Sequence, residues 1–112
     1  MYTVYGIPNC DTIKKAKKHL DSLGLDYEFI NFKKTPPTKD LILKWKDAFT
    51  DWPVNKRGPT YRKIKDEFEG TSSEVKKCKI LMEQTSAIKR PIIMKKSKVV
   101  LFGYDAETYD KL

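Results

Sequence analysis

Two short apolar runs, Tyr2-Thr3-Val4-Tyr5-Gly6 and Tyr27-Glu28-Phe29-Ile30-Asn31-Phe32, flank a stretch with helical periodicity. Within it Ile13, Ala16, Leu20 and Leu23 recur at three- and four-residue steps and share one face, while Lys14, Lys15, Lys18 and Asp21 fall elsewhere. Gly24 supplies the stop. Strand, helix and strand in this order read as a β-α-β unit: two parallel strands with a right-handed helical crossover. That pattern constrains everything after it, because the remaining chain must complete a sheet already begun.

The chain then turns helical. Thr35-Pro36-Pro37-Thr38 breaks it and caps a helix whose apolar face carries Leu41, Ile42, Trp45 and Phe49. Loop signals follow at Asp51-Trp52-Pro53 and Arg57-Gly58-Pro59. Tyr61 to Phe68 reads as a second helix of this stretch. Ser73 to Gln84 reads as a third, with Ser72 or Ser73 as cap and Val75, Cys78, Leu81 and Met82 facing inward. The pattern reverts to strand at Pro91-Ile92-Ile93-Met94, turns through Lys95-Lys96-Ser97-Lys98, and returns along Val99 to Phe102 as a hairpin. Gly103 ends it, and Asp105 can cap a last helix from Ala106 to Leu112. A β-α-β half followed by a β-β-α half is the order of the thioredoxin-like fold, an α/β class. We expect one such domain over residues 1–112, with a helical subdomain inserted at about 38–86.

Composition narrows the chemistry. A length of 112 residues and 13 aromatic residues suit one globular domain. With a single histidine, His19, and two distant cysteines, Cys10 and Cys78, neither a disulfide scaffold nor a Cys/His metal site is expected. His19 falls on the charged side of its helix and is expected to be solvated. The N-terminus Met1-Tyr2-Thr3-Val4-Tyr5 has no basic segment leading into an apolar run, so no secretory signal is expected. No apolar run approaches the ~20 residues of a membrane helix, and a cytoplasmic location is the default expectation. The formal charge of +8 favours anionic partners. Without a helix-turn-helix, zinc motif or recognition helix, no specific DNA binding is expected.

The chemistry converges on Cys10. It lies in the turn between the first strand and the first helix, where N–H groups without intrahelical partners and the helix dipole favour a negative charge. A thiolate is such a charge, and cysteines so placed titrate at roughly 3.5–7.5 rather than ~8.5. Lys14 and Lys15 add in the same direction. The alternative, a buried cysteine acting as a small hydrophobe, fits a turn before a charged helix less well. In Cys10-Asp11-Thr12-Ile13, isoleucine stands where a dithiol oxidoreductase would carry its second cysteine. A one-cysteine mechanism then needs an outside thiol such as glutathione, or Cys78 arriving from elsewhere. Cys78 lies on an apolar helix face, which favours the core over a resolving role. Arg57, Arg62 and Arg90 are the only arginines among 23 basic residues. The guanidinium fork suits oxyanions, and Arg90, directly before Pro91 at a strand start, is the strongest of the three.

Asn9-Cys10 opening a helix, Pro36-Pro37 before the next, and Lys89-Arg90-Pro91-Ile92 at the third strand together resemble the arsenate reductase/Spx-like family. The resemblance covers essentially the whole chain. Cys10 to Ala16, Lys56-Arg57-Gly58-Pro59-Thr60-Tyr61-Arg62-Lys63 and Ile88-Lys89-Arg90-Pro91 look most like its YffB branch. The resemblance implies a thioredoxin-like thiol oxidoreductase with no bound cofactor and no metal. Cys10 would be the nucleophile, with Arg90 beside it before a cis-proline at Pro91. Asn9, Thr12, Arg57, Arg62 and Pro91 would make up the substrate-binding set, Arg57 or Arg62 supplying the middle of three oxyanion arginines. The third falls at Gly103, which costs arsenate roughly 1.5–3 kcal/mol of charge-assisted contact. The leading expectation is therefore a glutathione-dependent thiol reductase, with glutathione or another small anionic thiol or oxyanion as partner and glutaredoxin as a further one. A regulator of the Spx kind, binding RNA polymerase, is the alternative; arsenate reduction proper comes third.

Overall fold

The alternation of Tyr2 to Gly6 becomes the centre of a four-stranded sheet. The computed structural model describes residues 1–8 and 10–112. The chain divides into two units, Met1–Phe32 with Arg90–Leu112, and Lys33–Lys89.

In the first unit, β1 (Tyr2–Gly6) pairs parallel with β2 (Tyr27–Asn31) and antiparallel with β3 (Ile92–Lys95). β4 (Lys98–Phe102) pairs antiparallel with β3, giving the order β2-β1-β3-β4. With α1 (Asp11–Ser22) between β1 and β2 and α5 (Ala106–Asp110) after β4, this is the thioredoxin-like fold. Every second residue of β1 is buried, as a half-covered strand requires. Tyr2 and Val4 pack with Ala16 and Leu20 of α1, Ile93 of β3 and Tyr109 of α5. Each such side chain taken fully out of water contributes roughly 1.5–3 kcal/mol. α1 closes at Gly24 (φ +69°): its N–H donates to Asp21 O at 3.0 Å and that of Leu25 to Leu20 O at 3.1 Å. The hairpin turns on Lys96 (φ 50°) and Ser97 (φ 66°), two left-handed residues whose twist matches that of the strands.

His19 corrects the sequence expectation. It is not solvated: Nε2 bonds Asp110 Oδ1 at 2.6 Å and Nδ1 meets the Tyr104 hydroxyl at 2.8 Å. Helix periodicity registers only the neighbours along α1, whereas these partners arrive from the other end of the chain.

The second unit holds α2 (Lys39–Phe49), α3 (Pro59–Glu69) and α4 (Glu74–Glu83), followed by a 3-10 turn, Thr85–Ala87. Thr38 and Ser73 cap α2 and α4 through their hydroxyls, which accept from Leu41 N at 3.2 Å and Lys76 N at 3.3 Å. Pro59 opens α3, where a missing N–H costs nothing. Residues 53–55 and 87–89 run antiparallel, with Asn55 N–H to Ala87 O and Lys89 N–H to Pro53 O both at 2.8 Å. α4 buries Cys78, Ile80 and Leu81, while Val75, expected inside, is 58% exposed in the first turn. Ile80, which the pattern did not place inside, is buried. Among the described residues no helix is long and apolar enough to cross a membrane.

Candidate active site around Cys10

β1 ends at Gly6, and four residues later Cys10 occupies the N-cap of α1 in extended backbone (φ −101°, ψ 129°). Its carbonyl accepts from Lys14 N–H at 3.0 Å, the bond that starts the helix. Gly6 lets α1 come this close. A Cβ there would run into Ile13 Cδ1 and stand 3.4 Å from Phe29 Cε1. Ile13 is 1% exposed. The place of a second cysteine is thus filled by a core side chain seated on a glycine.

β3 runs antiparallel to β1 and sets Ile92 opposite Tyr5. Residues just before β3 therefore emerge at the same end of the sheet as residues just after β1. Arg90 and Pro91 are those residues, joined by a cis peptide bond. Pro91 is buried, and Arg90 is half-buried with its Nε enclosed.

The Cys10 thiol is also half-buried. Burial is the largest single influence on its pKa and pushes it up. The Ile13 N–H, the Arg90 guanidinium as donor and as charge, and the Thr12 N–H together outweigh burial, and the pKa falls below the ordinary thiol value. No side-chain capping bond of the geometry that Thr38 and Ser73 make forms at Cys10, so the Thr12 and Ile13 N–H groups act on the sulfur electrostatically. The thiol sits in the field of the helix N-terminus. The sequence points to Lys14 and Lys15 as its cationic neighbours. Both are exposed, and the cation acting on the sulfur is Arg90.

Cys78 is the converse. It is 1% exposed in α4. Burial pushes its pKa up and Glu74 adds to this, with Lys39 and Lys46 pulling partly back. This is the environment of a core thiol.

The structure brings Cys10, Thr12, Arg90 and Pro91 together at one sheet end. Arg57 and Arg62 belong to the helical unit, and both are exposed. Arg57 lines a groove of about 440 Å³ with Phe49, Trp52, Lys56 and Lys89. Arg62 lies on α3, whose buried residues are Tyr61, Ile64 and Phe68. Asn9 lies outside the described residues. Gly6 was missed by the sequence reading; a glycine closing a strand just before a cysteine turn is the signal that would have found it.

The ArsC family model matches residues 5–112. A protein of Haemophilus influenzae, described as uncharacterized, is 32% identical over 110 residues, covering 97% of this chain and 96% of the relative. A solved structure described as a possible arsenate reductase, from Streptococcus mutans, is 35% identical with a TM-score of 0.78, covering 93% of this chain and 91% of that one. The structure of a YffB protein is 29% identical with a TM-score of 0.84, covering 99% and 97%.

Proposed function

The chain belongs to the ArsC family of arsenate reductase-like thiol oxidoreductases, and from that premise we propose that it is a glutathione-dependent thiol reductase working through Cys10 alone. One feature carries the proposal: at the N-terminus of α1, Arg90 and the N–H groups of Thr12 and Ile13 pull the Cys10 pKa down against burial and favour its thiolate.

The chemistry follows from that geometry. The Cys10 thiolate attacks the glutathionyl sulfur of a glutathione mixed disulfide. A Cys10–sulfur bond forms, the substrate S–S bond breaks, and the departing sulfur leaves as a thiolate that takes a proton from water. With Ile13 in place of a second cysteine, an outside thiol must resolve the intermediate. The thiolate of glutathione attacks the sulfur bonded to Cys10, releases the Cys10 thiolate and leaves as the oxidised disulfide. Two electrons pass from glutathione to substrate in each cycle. Arg90 stabilises the thiolate as both attacking and leaving group, and its fork suits a carboxylate of glutathione. Gly103, at the position of the family's third oxyanion arginine, argues for a disulfide rather than arsenate as substrate.

The test is the glutathione-driven reduction of a small mixed disulfide, read as NADPH consumed through added glutathione reductase, with arsenate as the competing acceptor. Turnover by the wild type that vanishes in Cys10→Ser and persists in Cys78→Ser supports the proposal. Turnover surviving Cys10→Ser, or seen only with arsenate, refutes it.

A further inference from the structure

The last helix is tied to the candidate site by a short hydrogen-bonded route. Tyr109, at 0% exposure, is the most deeply buried residue of α5. Its hydroxyl donates to Gly103 O at 2.9 Å. Burial, reinforced by Tyr104, pushes the Tyr109 phenol far up, so the hydroxyl keeps the proton it donates. Gly103 stands in the left-handed region (φ +74°), and its N–H donates to Pro91 O at 2.8 Å. Pro91 follows Arg90 directly, and Arg90 is the residue whose guanidinium lowers the Cys10 pKa. Both polar groups of Gly103 are thus engaged, one by α5 and the other by the turn that presents the guanidinium.

This arrangement gives α5 a task that core filling does not require. Phenylalanine would fill the Tyr109 space as well. The hydroxyl matters because a glycine at positive φ has little to hold its two peptide planes except their hydrogen bonds. We infer that Tyr109 is a positioning residue: through Gly103 it holds the Arg90–Pro91 turn, and with it the guanidinium, beside the Cys10 sulfur. The inference rests on the reading of Cys10 as the working thiol. It adds that the identity of the buried aromatic on α5 sets how well that thiol ionises.

The experiment compares the full-length wild type with Tyr109→Phe and Tyr104→Phe. For each, the alkylation rate of Cys10 by iodoacetamide is followed against pH, with thermal unfolding alongside. Tyr104→Phe loses the contact to His19 on the same flank of the sheet and leaves Gly103 alone. The inference predicts that Tyr109→Phe moves the Cys10 profile to higher pH and slows alkylation at neutral pH roughly threefold to tenfold, the range for a charge-assisted hydrogen bond weakened but not lost. Tyr104→Phe keeps the wild-type profile. Should Tyr109→Phe fail to fold, Gly103→Ala distorts the same link from the sheet side, and the same displacement is expected of it. An unmoved profile in the folded Tyr109 variant overturns the inference, as does an equal displacement in both tyrosine variants, which would report general loosening of α5. A wild-type Cys10 that titrates as an ordinary thiol overturns the underlying reading as well, and is told apart from the other outcomes before any variant is made.

Discussion

Replacing Arg90 separates its charge from its geometry. Two of the four influences that lower the Cys10 pKa come from this one side chain, its hydrogen bond and its charge, and burial opposes them all. Arg90→Ala leaves burial facing only the Ile13 and Thr12 N–H groups. A charge-assisted hydrogen bond is worth about 1.5–3 kcal/mol. Arg90 and Cys10 are both half-buried, so solvent screening trims this toward the lower end. About 1.4 kcal/mol is a factor of ten, so alkylation of Cys10 at neutral pH should slow about tenfold in Arg90→Ala. Arg90→Lys restores a cation without the planar fork. It should keep most of the thiolate while weakening glutathione binding. The assay is Cys10 alkylation against pH, resolved by peptide mapping, beside a calorimetric titration with glutathione or its S-methyl derivative. Arg90→Ala indistinguishable from wild type in both would make Arg90 a surface charge and end the anion-pocket account.

Three further outcomes follow from the same geometry. The native Cys10 thiol gives up its proton at lower pH than the unfolded chain does, so between the two values unfolded molecules bind more protons and stability rises with pH. The stability difference between wild type and Cys10→Ser, from urea denaturation, should therefore grow as pH climbs from the lowered thiol value toward ~8.5; a flat difference contradicts the thiolate. Cys78 should resist alkylation at pH values where Cys10 reacts within minutes, because burial both hides it and holds its proton; equal rates by mass mapping would contradict this. Gly6→Ala should cost roughly 1–3 kcal/mol and slow Cys10 alkylation, since the new methyl must displace Ile13 and with it the first turn of α1; an unchanged unfolding midpoint and rate would show that Gly6 does not set the helix approach.

What could be read from the sequence was local. The strand at Tyr2 to Gly6, the caps at Thr38 and Ser73 and the glycine stop at Gly24 are all encoded within a few residues of where they act. The place of Cys10 at the start of α1 was legible for the same reason. The pairing of Cys10 with Arg90 was not legible from local pattern, because it depends on β3 lying antiparallel to β1 across most of the chain, and only the family resemblance anticipated it. His19 and Val75 were misplaced in opposite directions. His19 is covered by residues of α5 and the loop before it, while Val75 is exposed in the first turn of α4. Lys96-Ser97 reads as a polar turn, but its two positive φ values carry none of the usual Asn-Gly signal.

The central claim is that Cys10 is a nucleophile resolved from outside, and its most direct test is covalent. Wild-type protein is incubated at neutral pH with oxidised glutathione, digested and mapped by mass spectrometry, then exposed to excess reduced glutathione. The account predicts one glutathione per chain, on Cys10 and not on Cys78, removed completely by the reduced thiol. An unmodified Cys10, an adduct that reduced glutathione cannot clear, or a Cys10–Cys78 disulfide in its place would contradict it.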